Sequence, residues 1–415
     1  MPSSSRLANL LGAAGAAEVL RLPDFRRYWL GFGLTGFGLN FWFLGAYWVV
    51  LELTDSPFAV GLIGGLAAAP SIVLSLLGGA ITDRVDRRRM LVASHLGWAL
   101  QCAVTGILVG TGWIEAWHVL ALAVVFGVID AASRPAGYTL IVDIVGRSRL
   151  VAANALDQVA EFGGELVAPL IVGLVIASAG PAPIFYLGSA ALLGGAALMA
   201  LIRVAPPEEA AAELQERTSL ITDMRAGIAY TLHTPPFPAL LGVSALSIIS
   251  GAIFPLVPVY ARDILQVGPA GYGLMASALA AGMLLGALGM GTLADVRRPG
   301  LVMLVARTGW FAAMAGFAVS QVFTLSLAFL VAMGASGAVA GNLVLTQFQR
   351  HAEDQMRGRV MSIHRMVESF EPLGAVVGGA FAALAGPEAA LLLCAAAGAL
   401  ALVALTLASP ALRRG

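Results

Sequence analysis

The chain has 415 residues, of which 59% are hydrophobic and 12% charged, and its formal net charge is zero. Soluble domains carry about 25% charged residues, so this composition excludes an ordinary soluble protein and indicates a chain that lies mostly in a bilayer. The two cysteines, Cys102 and Cys394, both sit in apolar runs and predict neither a disulfide framework nor a metal cluster.

Twelve apolar segments are long enough to cross a membrane, for which about 20 residues are needed. The first six are 28–51, 58–81, 90–110, 116–138, 151–178 and 183–202. The second six are 238–261, 270–293, 300–319, 322–346, 360–384 and 388–408. A polar linker at 204–235 separates an N-terminal bundle, 1–203, from a C-terminal bundle, 236–415, and contains a segment that could form an amphipathic surface helix.

The arginines predict the topology, because basic residues favour cytoplasmic loops. With both termini in the cytoplasm, the arginine-rich loops all fall on the cytoplasmic side, and Arg262 alone falls clearly on the other. We therefore expect a multi-pass protein of a bacterial-type inner membrane.

The two halves resemble each other in sequence. "GGAITDRVDRRRM" and "GTLADVRRPG" each join a second span to a third, and Asp295 follows Asp83 by 212 residues. "RSRLVAANALD" and "RGRVMSIHRMV" each enter a fifth span, and Arg359 follows Arg149 by 210 residues. Two agreeing offsets indicate a duplicated six-helix unit, so the predicted fold is an all-α integral membrane protein with twelve transmembrane helices in two pseudo-symmetric bundles.

The Gly78–Arg89 stretch resembles the cytoplasmic loop motif of the major facilitator superfamily, which has a Gly, then Asp–Arg, then a basic run. "FRRYWLG", "DSPFAVGLIGGLAAAPSIVLSLLGGAITDR" and "ANAL…VAP" resemble more narrowly the drug-efflux branch that includes macrolide exporters and the enterobactin exporter. The resemblance covers nearly the whole chain and implies alternating access, in which the two halves rock around a central site.

The resemblance also implies a cytoplasmic gate, carried over to Gly79, Asp83, Arg84, Arg87, Arg88 and, in the second copy, Asp295. Asp83 would tie the loop to the entrance of span 11, and the arginines would bridge neighbouring helix ends. The second copy lacks the full basic run, so the gate role of Asp295 is less supported. Alternatively, these loops only set the topology.

Acidic residues inside the spans are the strongest functional candidates. Glu161 lies 12 residues after Arg149, and Glu371 lies 12 residues after Arg359. At 1.5 Å per residue both would be ~18 Å deep, near the membrane midplane, where transporters of this kind bind substrates and coupling ions. We expect both to serve transport.

A second acid accompanies each of these, because Glu165 follows Glu161 by one helical turn and Glu368 precedes Glu371 by three residues. Asp157 is nearer the inner surface and is expected to meet water or an arginine. Crowded carboxylates in a low-dielectric cavity can exchange protons near neutral pH, which favours proton antiport. Alternatively, the acids hold helices together, with Arg134 and Arg365 as the available partners.

Several other polar and aromatic residues have structural and functional interpretations. Asp130 and Arg134 form an i, i+4 pair, which we interpret as structural rather than as part of a gate. Asn40 faces either the cavity or another helix, and His364 is expected at the membrane interface. Four aromatic residues of span 1 are interpreted as interface anchors rather than as a ligand platform: Phe41, Trp42, Phe43 and Trp48.

We therefore predict a secondary active transporter that exports amphipathic, cationic small molecules in exchange for protons. Siderophore or metallophore export and lysolipid flipping remain alternatives within transport, and a non-transporting receptor or scaffold is the alternative from another class. No nucleotide-binding, nucleophile or zinc motif is present, so an enzyme is not expected. The expected partners are the small-molecule substrate, protons and the bilayer; we expect no cofactor, metal or nucleic acid, and a monomer.

Overall fold

The computed structural model describes residues 15–82, 86–203, 220–290, 298–353 and 356–409. Within these ranges twelve helical segments could cross a membrane, which confirms the predicted number. Spans 1 to 6 are Pro23–Thr54, Pro57–Thr82, Arg87–Thr111, Ala116–Val145, Leu150–Ala179 and Ala182–Ala200. Spans 7 to 12 are Phe237–Ile264, Gly268–Gly289, Pro299–Val319, Phe323–His351, Arg357–Ala385 and Pro387–Ala408. The chain is thus an all-α multi-pass membrane protein.

Span 1 begins at Pro23, five residues before its predicted start at 28. Proline is favoured in a first helical turn, and Asp24 in that turn complements the helix dipole. Arg27 donates to Asp24 at 2.7 Å and to the carbonyl of Leu201 at 2.9 Å. The charges that were interpreted as loop residues therefore continue the helix and fasten it to the end of span 6.

The first compact unit comprises Met1–Ala46 and Ala69–Ala211. Spans 3 and 6 approach closely at Gly106, where an added Cβ would lie 2.9 Å from the Tyr186 ring and 3.2 Å from Phe185 Cβ. Where spans 1, 3 and 6 reach their arginine-rich ends, a buried apolar cluster joins them to spans 4 and 5: Val19, Phe25, Tyr28, Leu91, Ala136, Leu140, Ile141, Val145, Ala153, Met199 and Ile202. This cluster anchors the base of span 5.

The second compact unit comprises Tyr47–Ala68 and Ala212–Gly415. Spans 8 and 10 touch backbone to backbone: a Cβ on Gly282 would collide with the Val331 carbonyl, and one on Gly334 with the Leu279 carbonyl. Small residues permit such close packing in lipid, where apolar side chains gain little by leaving the bilayer. Residues 47–68 group with this unit although they come from spans 1 and 2, whereas the predicted division at 204–235 stays a prediction.

Span 11 is not the continuous helix that the sequence predicted. It consists of Arg357–Glu368 and Glu371–Ala385, separated by Ser369 and Phe370. Pro372 lies in the first turn of the second segment, and proline disfavours helix in the residue before it and cannot donate a helical hydrogen bond. Glu368 therefore ends one helix and Glu371 opens the next, instead of sharing one helical face.

Span 7 is also interrupted, and a surface helix precedes it. Its Phe237–Ser250 helix is followed by a 3-10 turn at Gly251–Ile253 and ends in a π-helix at Tyr260–Ile264. The polar linker forms a helix at Leu220–His233, which packs on the first segment of span 11, where Gly227 meets Arg359. The linker thus contributes a helix that supports span 11.

Candidate functional site

The acidic column of span 5, defined as Asp157, Glu161 and Glu165, lies in the first unit. Glu161 is exposed, while Asp157 and Glu165 are half-buried. The three occupy successive turns of Leu150–Ala179, so they face one side of that helix. Within the described part of the chain neither Glu161 nor Glu165 forms an ion pair, which leaves the column without a basic partner there.

Asp157 is held by span 1 rather than by water or an arginine, so that expectation was wrong. The Tyr28 hydroxyl donates to Asp157 Oδ2 at 3.2 Å, and the neighbouring Trp29 indole N–H donates to the Leu156 carbonyl at 2.8 Å. Asp157 Oδ1 is buried and has no hydrogen-bond partner among the described residues. A buried oxygen without a partner is costly, so this carboxyl group is poised to gain a proton or a donor.

The second acidic pair, Glu368 and Glu371, flanks the break in span 11. Glu371 lies in the first turn of its helix, where the dipole favours a negative charge. Glu368 is exposed, and its Oε1 lies 3.4 Å from His364 Nε2. A Cβ on Gly251 would collide with the Glu371 carbonyl, so the break also lets span 11 pack tightly on span 7.

His364 is not at the membrane interface as expected; it is 1% exposed. Its Nδ1 lies 3.0 Å from the Ser244 hydroxyl, and its ring stacks on Phe348 with centroids 4.7 Å apart. The histidine therefore connects spans 7, 10 and 11 and links a buried serine to the exposed Glu368.

Arg307 is a functional candidate that was not predicted from the sequence. It lies within span 9 and is 6% exposed. One Nη donates to the Val243 carbonyl at 3.3 Å, and Nε has no hydrogen-bond partner among the described residues. The guanidinium lies within electrostatic range of Glu371 and Glu368. A buried arginine is tolerable only when charged or polar partners compensate it, so these acids are its natural counter-charges.

The internal repeat would have revealed Arg307. Arg307 follows His95 by 212 residues, the same offset that relates Asp295 to Asp83, and Gly-Trp follows two residues later in both places. Both equivalent positions are buried, at 3% exposure for His95 and 6% for Arg307. The first bundle thus places an uncharged or titratable ring where the second places a fixed positive charge.

Asp130 and Arg134 form the expected i, i+4 pair, with Arg134 Nε 2.9 Å from Asp130 Oδ2. The Ser71 hydroxyl donates to the same oxygen at 2.9 Å, so the pair joins span 4 to span 2. Asn40 donates to the Gly36 carbonyl of its own helix at 2.9 Å. Among the described residues no group of three His, Cys, Asp or Glu side chains is placed to hold a metal ion.

Part of the gate inferred from the loop motif lies outside the described residues, namely Asp83, Arg84, Asp295 and the surroundings of Gly79. Arg87 donates to Asp143 at 2.6 Å, and Arg88 donates to the Ile202 carbonyl at 2.7 Å. These arginines tie the start of span 3 to the ends of spans 4 and 6 within the first unit.

The interpretation of the span 1 aromatic residues as interface anchors was wrong for those that are buried. Trp42 is 1% exposed, Trp48 3% and Phe41 6%. Trp42 donates to the Thr105 hydroxyl at 3.1 Å and stacks on Phe126 with centroids 5.9 Å apart. The span is apolar around its whole circumference, so its sequence does not show which side faces other helices.

Comparisons with known proteins support one family. A family model described as a transmembrane secretion effector matches residues 14–414. The enterobactin exporters EntS of Shigella boydii serotype 18 and Escherichia coli O139:H28 are each 26% identical over 343 residues, which is 81% of this chain and 80% of the relative.

Two solved structures resemble the chain in fold. The nucleoside transporter NupG matches with a TM-score of 0.71 at 15% identity, covering 94% of this chain and 98% of NupG. A bacterial homologue of the human lysosomal transporter Spinster, inward-facing and unoccupied, matches with a TM-score of 0.68 at 14% identity and covers 94% of this chain and 95% of its own. At such identities the likeness concerns the fold alone.

Proposed function

Because the chain belongs to the transmembrane secretion effector family of the major facilitator superfamily, we propose that it is a proton-coupled exporter of amphipathic, cationic small molecules. It is a transporter with an exporter among its relatives; the ion that drives it and the cargo are the proposal. Transport proceeds by alternating access in a monomer of a bacterial-type inner membrane, with both termini in the cytoplasm.

The observation that carries this proposal is the uncompensated acidic column of span 5. A carboxylate at the bilayer centre costs roughly 2.5–3.5 kcal/mol, so three in one helix need a reason to persist. Among the described contacts, the column has one protein donor, the Tyr28 hydroxyl on Asp157. A column without basic partners can hold protons in one state and an organic cation in another.

The acids of span 11 have a different environment, which supports a different role. Glu368 lies near His364, and both Glu368 and Glu371 lie in the field of Arg307. Their charge is compensated within the second unit, so an incoming cation gains less there than at the acidic column. We assign proton exchange to both acidic groups and cation binding to Glu161 and Glu165.

Siderophore export is the second candidate, and one observation favours it. The enterobactin exporters are relatives at 26% identity over most of the chain, and Arg307 supplies a buried positive charge. An anionic catecholate would need the column acids protonated during binding. Nothing in the described residues favours lysolipid flipping or a non-transporting receptor.

Everted membrane vesicles test the proposal with three cargoes and an imposed pH gradient. We expect ethidium, a lipophilic cation, to accumulate in vesicles acidified inside and to leak out when nigericin collapses the gradient. A fluorescent lysolipid and a catecholate siderophore are the competing probes, and vesicles lacking the protein are the control. Catecholate accumulation without ethidium accumulation would replace the cargo assignment, whereas accumulation that ignores the gradient would remove proton coupling.

A further inference from the structure

Residues 47–68, the outer parts of spans 1 and 2 with the turn between them, belong by packing to the second unit. The chain enters that unit between Ala46 and Tyr47 and leaves it between Ala68 and Ala69. Both crossings occur inside continuous helices. Any movement of the rest of spans 1 and 2 must therefore either bend these helices or detach residues 47–68, which we call the latch.

Arg262 holds the tip of the latch. Its Nη1 donates to the Leu51 carbonyl at 2.8 Å and lies 2.9 Å from Asp55 Oδ1. Its Nε lies 2.6 Å from Asp263 Oδ1, which fixes the orientation of the guanidinium. The arginine thus grips the last turn of span 1 through a backbone carbonyl, independently of the side chain at position 55.

The Arg262 backbone conformation is unusual. Tyr260–Ile264 is a π-helix, in which the Leu265 N–H donates to the Tyr260 carbonyl at 2.8 Å. Single π-turns are rare and occur often at functional sites, because the extra residue redirects a side chain. Here the redirected side chain is the one that reaches the latch.

The body of the latch lies directly on span 11. A Cβ on Gly61 would collide with the Ala375 carbonyl, and a Cβ on Gly379 would lie 2.5 Å from the Pro57 carbonyl. On span 1 the ring of Trp48 stacks on Tyr272 of span 8 with centroids 5.8 Å apart. These contacts are close and apolar, yet they contain no ion pair or side-chain hydrogen bond among those described, so they can separate without stranding a buried charge.

A hinge lies at the second crossing. Pro70 is inside the helix of span 2, two residues after Ala68. Proline removes one helical hydrogen bond and is the commonest cause of a sharp bend within a helix. The helix can therefore flex next to the boundary of the latch.

We propose that residues 47–68 form a detachable latch, secured by Arg262, whose docking closes the transport route at the end opposite the arginine-rich loops and whose release opens it. Exit of cargo at that end requires the latch to leave spans 7, 8 and 11. The inference concerns movement of the chain and needs neither a particular cargo nor proton coupling.

A disulfide measures docking directly. An added Cβ on Gly65 would lie 3.8 Å from Val376 Cβ, which matches the usual Cβ separation of a disulfide, about 3.8 Å. Copper phenanthroline should cross-link the G65C/V376C pair rapidly in membranes, in a chain whose Cys102 and Cys394 are replaced by alanine. The control pair is G15C/A152C, with a Cβ separation of 3.6 Å, inside the first unit.

We expect R262A to slow cross-linking of G65C/V376C about tenfold, because the docked population falls. D55A should change the rate less than about twofold, since the Asp55 side chain is 81% exposed and such pairs contribute little. Cross-linking of G15C/A152C in the R262A chain shows whether the first unit still folds. Equal rates in the Arg262 and R262A chains, with G15C/A152C unaffected, would overturn the latch.

A transport measurement completes the test. Once oxidised, G65C/V376C should block ethidium accumulation in everted vesicles, and dithiothreitol should restore it, while oxidised G15C/A152C transports normally. Continued transport by a fully cross-linked latch would also overturn the proposal. Because the cross-linking rates are measured without cargo, failure of ethidium export as such would count against the proposed function and leave the latch result standing.

Discussion

The Tyr28 hydroxyl donates to Asp157 Oδ2 at 3.2 Å, and this bond ties span 1 to the base of the acidic column. Tyr28 is 4% exposed, so its removal cannot readily be replaced by water. The contact joins residues 129 positions apart in the chain. Span 1 therefore positions the first carboxyl group of span 5.

Replacing Tyr28 with phenylalanine should destabilise the purified protein by about 1–2 kcal/mol, because Asp157 Oδ2 loses its donor. Thermal unfolding in detergent measures the change. In a double-mutant cycle with D157N, we expect a coupling energy of about 1 kcal/mol. The cycle of Y28F with E165Q serves as the control and should be additive; the same coupling in both cycles would show that the bond is not specific.

Replacing Arg307 with glutamine should lower stability by about 3–5 kcal/mol, since it leaves two acids without their counter-charge. The R307Q/E371Q double variant should recover much of that loss, because it removes a positive and a negative charge together. Unfolding temperatures of the two single variants and the double variant give the coupling. R89Q is the matched control, as the Arg89 side chain is 82% exposed. Strictly additive losses would mean that Arg307 does not compensate Glu371.

Replacing Gly334 with alanine should destabilise the contact between spans 8 and 10 by about 1–3 kcal/mol, because the new methyl group meets backbone. A Cβ there would collide with the Leu279 carbonyl and lie 2.8 Å from the Met283 nitrogen. Gly341 in the same helix has no neighbour within 4 Å of an added Cβ, so G341A is the control. Similar unfolding temperatures for the two variants would contradict the packing.

The twelve spans were predictable because length and hydropathy are local properties of the sequence. The break before Glu371 was equally local, since Pro372 marks it, but the strong apolar pattern of span 11 concealed it. Two neighbouring carboxylates could be placed on one helical face only by assuming a helix that the proline interrupts.

The partners of the acids could not be predicted in the same way. Arginines were interpreted as markers of cytoplasmic loops, so a single arginine within span 9 received no role although the repeat relates Arg307 to His95. The Tyr28–Asp157 bond and the burial of Trp42 depend on which helices become neighbours. One chain sequence does not determine that when a helix is apolar on every side.

The most direct test of the acidic column is gradient-driven ethidium accumulation in everted vesicles that contain the E161Q/E165Q variant. We expect accumulation to fall at least about tenfold relative to wild type, because the variant can neither exchange protons at these positions nor attract a cation. E115Q, at the exposed loop before span 4, is the control and should transport normally. Wild-type accumulation by E161Q/E165Q, still abolished by nigericin, would contradict a role for the column in proton-coupled export.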